Sequence, residues 1–219
     1  MKTIVIIGAG PGLGLSLAKK FGSNGFNVAL VSLHEDTLIP LVNELKNLDI
    51  DSKYYVADVR DLERLSSALK QVESDFGNID VVEFSPYAGP QMFRDVLEMK
   101  IEDVEEQYKM QILPAIKMVQ TVLPSMEANG SGAILFNSGI SAVHPIPQLG
   151  NAGIACSGLR NYAQNLHNVL KEKGIYVGFV AVATLIKKGT EGDPDLIADT
   201  WYDLYIKQDR FETVFPQMN

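Results

Sequence analysis

Apolar runs rich in Val and Ile, each long enough for one strand, alternate along this chain with longer stretches of helical period. That alternation restricts the fold more than any other feature, because it is the pattern of successive β-α-β units on a parallel sheet. The runs predict strands at Thr3 to Ile7, Val28 to Ser32, Lys53 to Ala57, Val81 to Ser85, Ala133 to Asn137 and Tyr176 to Val182, with a short edge strand at Glu212 to Phe215. They lack strict polar alternation, which suits strands covered on both faces. Helices are predicted at Leu13 to Ser23, Leu38 to Leu48, Leu62 to Phe76, Val104 to Glu127, Gly153 to Lys173 and Pro194 to Lys207. Asp61 is a good N-cap for the third, and Pro114 is placed to kink or split the fourth. Right-handed crossovers then give an α/β fold, a doubly wound parallel sheet in three layers, with a ligand crevice beyond the carboxyl ends of the strands.

At 219 residues, 46% of them hydrophobic, the chain suits one domain spanning 1–219, with 186–208 as a substrate-side helical segment. A net charge of -8 argues against nucleic acid or an anionic membrane as partner, since both reward clustered Lys and Arg. The acidic run Glu102, Asp103, Glu105, Glu106 reads as a solvated helix face. Cys156 is the only cysteine, so no intramolecular disulfide forms and a reducing, cytoplasmic setting is expected. The opening Met1-Lys2-Thr3-Ile4-Val5-Ile6-Ile7 is too short for a signal segment, and no stretch is long enough to cross a bilayer. No metal-ligand spacing is present.

After the first strand comes Gly8-Ala9-Gly10-Pro11-Gly12-Leu13-Gly14, running into a helix. Glycine permits a tight turn, lets backbone approach a pyrophosphate, and allows helix to pack on strand. The helix N-terminus then presents unpaired N-H groups and partial positive charge to that anion. Read as G-x-G-x-x-G the loop fails, because Leu13 stands where the third glycine belongs.

Read as Gly8, Gly12 and Gly14, the loop resembles that of the short-chain dehydrogenase/reductase family, whose members have a Rossmann-type fold. The opening is also similar to that of flavoproteins, but those carry an acid where Ser32 stands and are much longer. Further along, Asp58-Val59 resembles the family's Asp-Val pair at the adenine, and Ser85-Pro86-Tyr87-Ala88-Gly89 is similar to a degraded Asn-Asn-Ala-Gly. Leu123-Pro124-Ser125-Met126, Gly132-Ala133-Ile134-Leu135 and Gly174-Ile175-Tyr176-Val177 fall at the family's intervals, so the resemblance runs from residue 2 to about 182. It implies dinucleotide binding by Gly8, Gly10, Gly12, Leu13, Gly14, Ser32, Asp58, Val59 and Ser85. It also implies a homo-oligomer, a dimer or tetramer, built on the two long helices at Val104 to Glu127 and Gly153 to Lys173. The segment Ser32-Leu33-His34-Glu35 has no Asp at the strand end and no Arg following it, and the missing strand-end acid removes a repulsion against a 2'-phosphate, which favours NADP over NAD.

The catalytic pattern of the family is absent. Its tyrosine gives or takes the hydroxyl proton, a lysine lowers the tyrosine's pKa, a serine positions the substrate oxygen and an asparagine completes a proton path. The resemblance puts Gln111, Gly139, Ala152 and Cys156 at the asparagine, serine, tyrosine and lysine positions. No tyrosine lies between Tyr108 and Tyr162, and no lysine between Lys117 and Lys171, so a shifted alignment does not restore the set. Ser138, Ser141 and His144 are the nearest polar candidates to border the nicotinamide, with His144 or water as proton source. Tyr162 is about three turns, roughly 15 Å, beyond Ala152 and too distant. Cys156 reads as a packing residue more readily than as a reactive thiol. Two functions remain: an oxidoreductase acting on an unidentified small carbonyl or alcohol, or a dinucleotide-binding protein without turnover, serving as a sensor or partner. Specificity would reside in Ile186 to Gln208, and the substrate has no readable signature there.

Overall fold

Ile4, Val5, Ile6 and Ile7 are all completely buried, so the first strand is covered on both faces, and its neighbours repeat the pattern. The computed structural model describes residues 1–87 and 89–217. Its strands are β1 (Lys2–Ile7), β2 (Phe26–Ser32), β3 (Ser52–Val56), β4 (Val81–Phe84), β5 (Gly132–Gly139), β6 (Ile175–Val182) and β7 (Glu212–Phe215). They form one parallel sheet in the order β3-β2-β1-β4-β5-β6-β7. The order reverses between β1 and β4, the topological switch point where such sheets open a crevice.

The two cores follow the strand alternation. Ile4 and Ile6 face one layer, made by α1 (Leu13–Gly22), α2 (Glu35–Lys46) and α7 (Pro194–Lys207). Val5 and Ile7 face the other, made by α3 (Leu62–Phe76), α5 (Leu113–Asn129) and α6 (Gly150–Leu170). No helix among the described residues is long and apolar enough to cross a membrane.

Helix ends lie where side chains cap them. Asp61 accepts from Arg64 N at 3.1 Å at the start of α3. Asp193 accepts from Asp195 N at 2.9 Å, and Pro194 takes the first helical position of α7, where its missing N-H costs nothing. The helix expected over Val104 to Glu127 is two: α4 (Ile101–Gln107) and α5, joined by a π-helical turn at Tyr108–Ile112. The break precedes Pro114, which sits in the first turn of α5 and so interrupts no hydrogen bond. Helix α2 starts three residues before the expected Leu38, with Glu35 and Asp36 in the first turn, where carboxylates suit the helix dipole.

The segment 186–208 divides into a turn and a helix. Residues 186–193 form a turn in which Gly189 N donates to Asp193 at 2.7 Å. Helix α7 instead seals the core over α1, with Ile197, Trp201 and Leu204 completely buried. Burial of that kind contributes about 2 kcal/mol per side chain, so α7 is fixed by packing on the sheet face opposite α5 and α6.

Candidate functional site

The glycine loop follows β1 at the switch point. Gly8 has φ +91°, and a Cβ there would meet Ser85 C, Pro86 N and Pro86 Cα at 2.7 Å. A Cβ at Gly14 would meet Ala9 Cα at 2.9 Å, which keeps α1 tight against the loop. Gly10 and Gly12 are the opposite case, with nothing within 4 Å of a Cβ. Gly12 is the N-cap of α1 and supplies no capping side chain. Among the described residues, the N-H groups of Gly12, Leu13 and Gly14 have no backbone acceptor. The loop therefore combines two glycines demanded by packing, two bordering open space, and a row of free donors at a positive helix end. These residues fit a pyrophosphate.

Along the rim, Ser32 ends β2 half-buried and His34 is exposed at the N-cap of α2. Val59 is buried. Asp58 is already paired: Arg60 donates to its carboxylate through Nη2 at 2.7 Å, through Nε at 3.0 Å, and through its backbone N at 2.9 Å. The Arg60 guanidinium holds the Asp58 carboxyl below its ordinary value, and His34 acts in the same direction. Arg60 was not anticipated from sequence. It brings a cation to the ends of β2 and β3 from a position two residues after Asp58. Of the segment 85–89, Ser85 lies just past β4, while Ala88 falls outside the described residues.

Glu83 is a second residue that sequence reading missed. It is completely buried within β4, between Ile6 of β1 and Leu135 of β5. Its Oε2 is 3.0 Å from Ser85 Oγ, and its Oε1 has no partner. Burial pushes its carboxyl up to about 8, against the opposing effect of the Ser85 hydrogen bond. On β5, Asn137 Oδ1 and Ser138 Oγ are also buried without partners.

Of the residues expected at the tetrad positions, the structure brings Gln111 and Cys156 side by side, with Sγ 3.4 Å from Gln111 Oε1. Gln111 Nε2 donates to Gln107 Oε1 at 2.7 Å, and Gln107 Nε2 donates to the Met92 carbonyl at 3.3 Å. Asn151, completely buried, donates to that same carbonyl at 2.9 Å and accepts from Arg94 N at 2.9 Å. A chain of side-chain amides thus runs beside Ala152 and Cys156, both buried. It ties down the segment 92–96, whose Val96 N donates to Pro147 O and whose Arg94 O accepts from Gly150 N, both at 2.8 Å. Ser141 Oγ lies 3.7 Å from the place a Cβ of Gly139 would take. His144 is exposed in the turn after β5. Tyr162 packs its ring against Phe136 in the core, where burial pushes its phenol up, and it stays clear of the crevice. No group of three or more His, Cys, Asp or Glu among the described residues is placed to hold a metal.

The model of the short chain dehydrogenase family matches residues 2–191. The chain belongs to the short chain dehydrogenase family. Among its relatives, an uncharacterized oxidoreductase of Staphylococcus epidermidis is 27% identical over 192 residues, which is 87% of this chain and 81% of that one. An inactive hydroxysteroid dehydrogenase-like protein of Rattus norvegicus is 30% identical over 178 residues, 79% of this chain and 52% of the rat protein. In fold, a metagenomic short-chain oxidoreductase solved in complex with NADP superposes with a TM-score of 0.86 at 20% identity, over 100% of this chain and 98% of that one. Within this family the fold is retained here.

Proposed function

We propose that this short-chain dehydrogenase binds NAD(P)(H), with NADP preferred, and performs no proton-coupled carbonyl reduction, acting as a sensor or partner whose state follows the dinucleotide. The observation that carries the reading is the pairing of an open glycine cradle with the amide chain Asn151, Gln107 and Gln111 around Cys156. The cradle offers what a pyrophosphate needs; the amides offer no proton at neutral pH. Ser32 presents no acid against a 2'-phosphate, and the Arg60 guanidinium, paired with Asp58, lies near the same rim. A metagenomic relative in fold holds NADP, and a rat relative is described as inactive, which agrees with the two halves of the proposal. The setting is a reducing one, and the protein is a homo-oligomer through the α4, α5 and α6 surface.

A second reading keeps turnover on a small carbonyl or alcohol. It is favoured by the unpartnered Ser138 Oγ and by Ser141 beside Gly139, with His144 or water supplying the proton.

Calorimetric titration with NADPH and NADH tests the binding that both readings share. Saturable binding of NADPH is expected for the wild type and not for Gly12→Asp, which adds an N-cap acceptor to α1 while setting a negative charge in the cradle. That variant should melt no lower than the wild type. Equal binding by both proteins overturns the proposal. Incubation of the NADPH complex with a panel of aldehydes and ketones then decides turnover: sustained oxidation lost in His144→Ala establishes the second reading instead.

A further inference from the structure

Glu83 is the only buried Asp, Glu, Lys, Arg or His among the described residues, and neither the fold nor the tetrad positions employ it. We propose that Glu83, held as the neutral acid, turns the Ser85 hydroxyl into a donor for a phosphate oxygen of the dinucleotide, coupling the loading of that anion to protonation of Glu83. The inference rests on the reading that the crevice takes a dinucleotide.

The geometry supports it at each step. Ser85 N donates to Ile7 O at 2.9 Å, and Gly8 is pressed against the Ser85-Pro86 backbone, so Ser85 sits at the β1-β4 boundary beside the glycine loop. Its Oγ is 3.0 Å from Glu83 Oε2, a separation that allows the proton to lie on either oxygen. With Glu83 ionised, the serine proton is consumed by the carboxylate and only lone pairs face an incoming phosphate. With Glu83 neutral, its own O-H donates to Ser85 Oγ, and the serine O-H is released to the ligand.

The surroundings favour the neutral form. On the sheet, Glu83 lies between Ile6 and Leu135, with Asn137 Oδ1 unpartnered further along β5 on the same face. From α1 that layer receives Leu13 and Leu17, and from α7 it receives Ile197, Ala198 and Trp201. The charged residues of α1, Lys19 and Lys20, are paired outside with Glu44 and Asp199. The titratable side chains packed in that cluster are Tyr54, Tyr176, Tyr202 and Tyr205, the charged residues of α2 and α7 lying outside it. Tyr54 donates to Glu35, Tyr176 donates to Arg210 O, and Tyr205 accepts from Lys2. Tyr202 packs its ring against Phe21 beneath Lys20. None of them is a hydrogen-bond partner of Glu83, and burial without a facing charge holds the carboxyl up at about 8.

The test is calorimetry of the whole protein with NADH and with NADPH across pH 7 to about 9.5, in buffers of different ionisation enthalpy, so that protons taken up with the ligand are counted. The wild type should take up a proton on binding above pH about 8, its affinity falling by up to about tenfold per pH unit there. Glu83→Gln, which retains an amide donor for Ser85, should bind with no uptake and a flat pH profile. Ser85→Ala should bind about fivefold or more weakly with a shallower profile. Proton uptake unchanged by Glu83→Gln, or a flat wild-type profile, overturns the inference and leaves dinucleotide binding standing. Absence of saturable binding by either nucleotide overturns both.

Discussion

A carboxyl buried in the middle of a parallel sheet leaves a mark on stability as well as on binding. The native state holds the Glu83 proton up to about 8, whereas an unfolded chain releases it near the ordinary 4.5. The unfolded state is therefore the one that gains from rising pH over that window, and native stability should fall between those two values by up to roughly 4 kcal/mol. Glu83→Gln removes the titrating proton, so its denaturation midpoint should stay level across the window and exceed that of the wild type at pH 8. A wild type as stable at pH 8 as at pH 5 would contradict this. The acid was legible in the sequence as the one charge inside Val81-Val82-Glu83-Phe84, but an apolar run reads as strand and hides a single polar residue within it. Arg60 was hidden differently. Its pairing with Asp58 bends back over two residues, and nothing in composition announces a contact so local.

Among the elements, those closed by their own residues were the most legible. Leu62–Phe76 and Pro194–Lys207 have the predicted bounds, because Asp61 and the Asp193-Pro194 pair signal helix starts locally. The π-helical turn at 108–112 carries no such signal. It is set by what the helix meets, namely Gln111 reaching both Gln107 and Cys156. The strap at 92–96 is likewise a product of tertiary contact, and Asn151 is its anchor. Asn151→Ala leaves Arg94 N without its acceptor and Met92 O and Asp103 O without this donor, an expected loss of about 2 to 4 kcal/mol. Hydrogen exchange at the Arg94 amide should accelerate before global unfolding does, because the strap opens while the sheet holds. Unchanged protection at Arg94 would show that the backbone bonds to Pro147 and Gly150 suffice alone.

For the whole molecule, the parallel sheet and its two helical layers follow from the alternation of apolar runs, while the strand order and the outer surface hold information the pattern omits. Ile101 is 75% exposed and Leu113 43% exposed, with Tyr108 and Ile154 also open to solvent on the face made by α4, the π turn, α5 and α6. That apolar face supports the proposed homo-oligomer. Light scattering should show more than one chain per particle for the wild type and a monomer for Leu113→Glu with an unaltered melting curve. A wild-type monomer at every concentration would refute the assembly. One further consequence belongs to the amide chain of Asn151, Gln107 and Gln111. Amides conduct hydrogen bonds but insulate against protons, so hydride leaving a bound ring in this proposed site would have no counter-charge following it. Under the proposed function the reducing equivalent would stay with its carrier until the carrier departs, and dwell time, not turnover, would be the property that such a sensor presents.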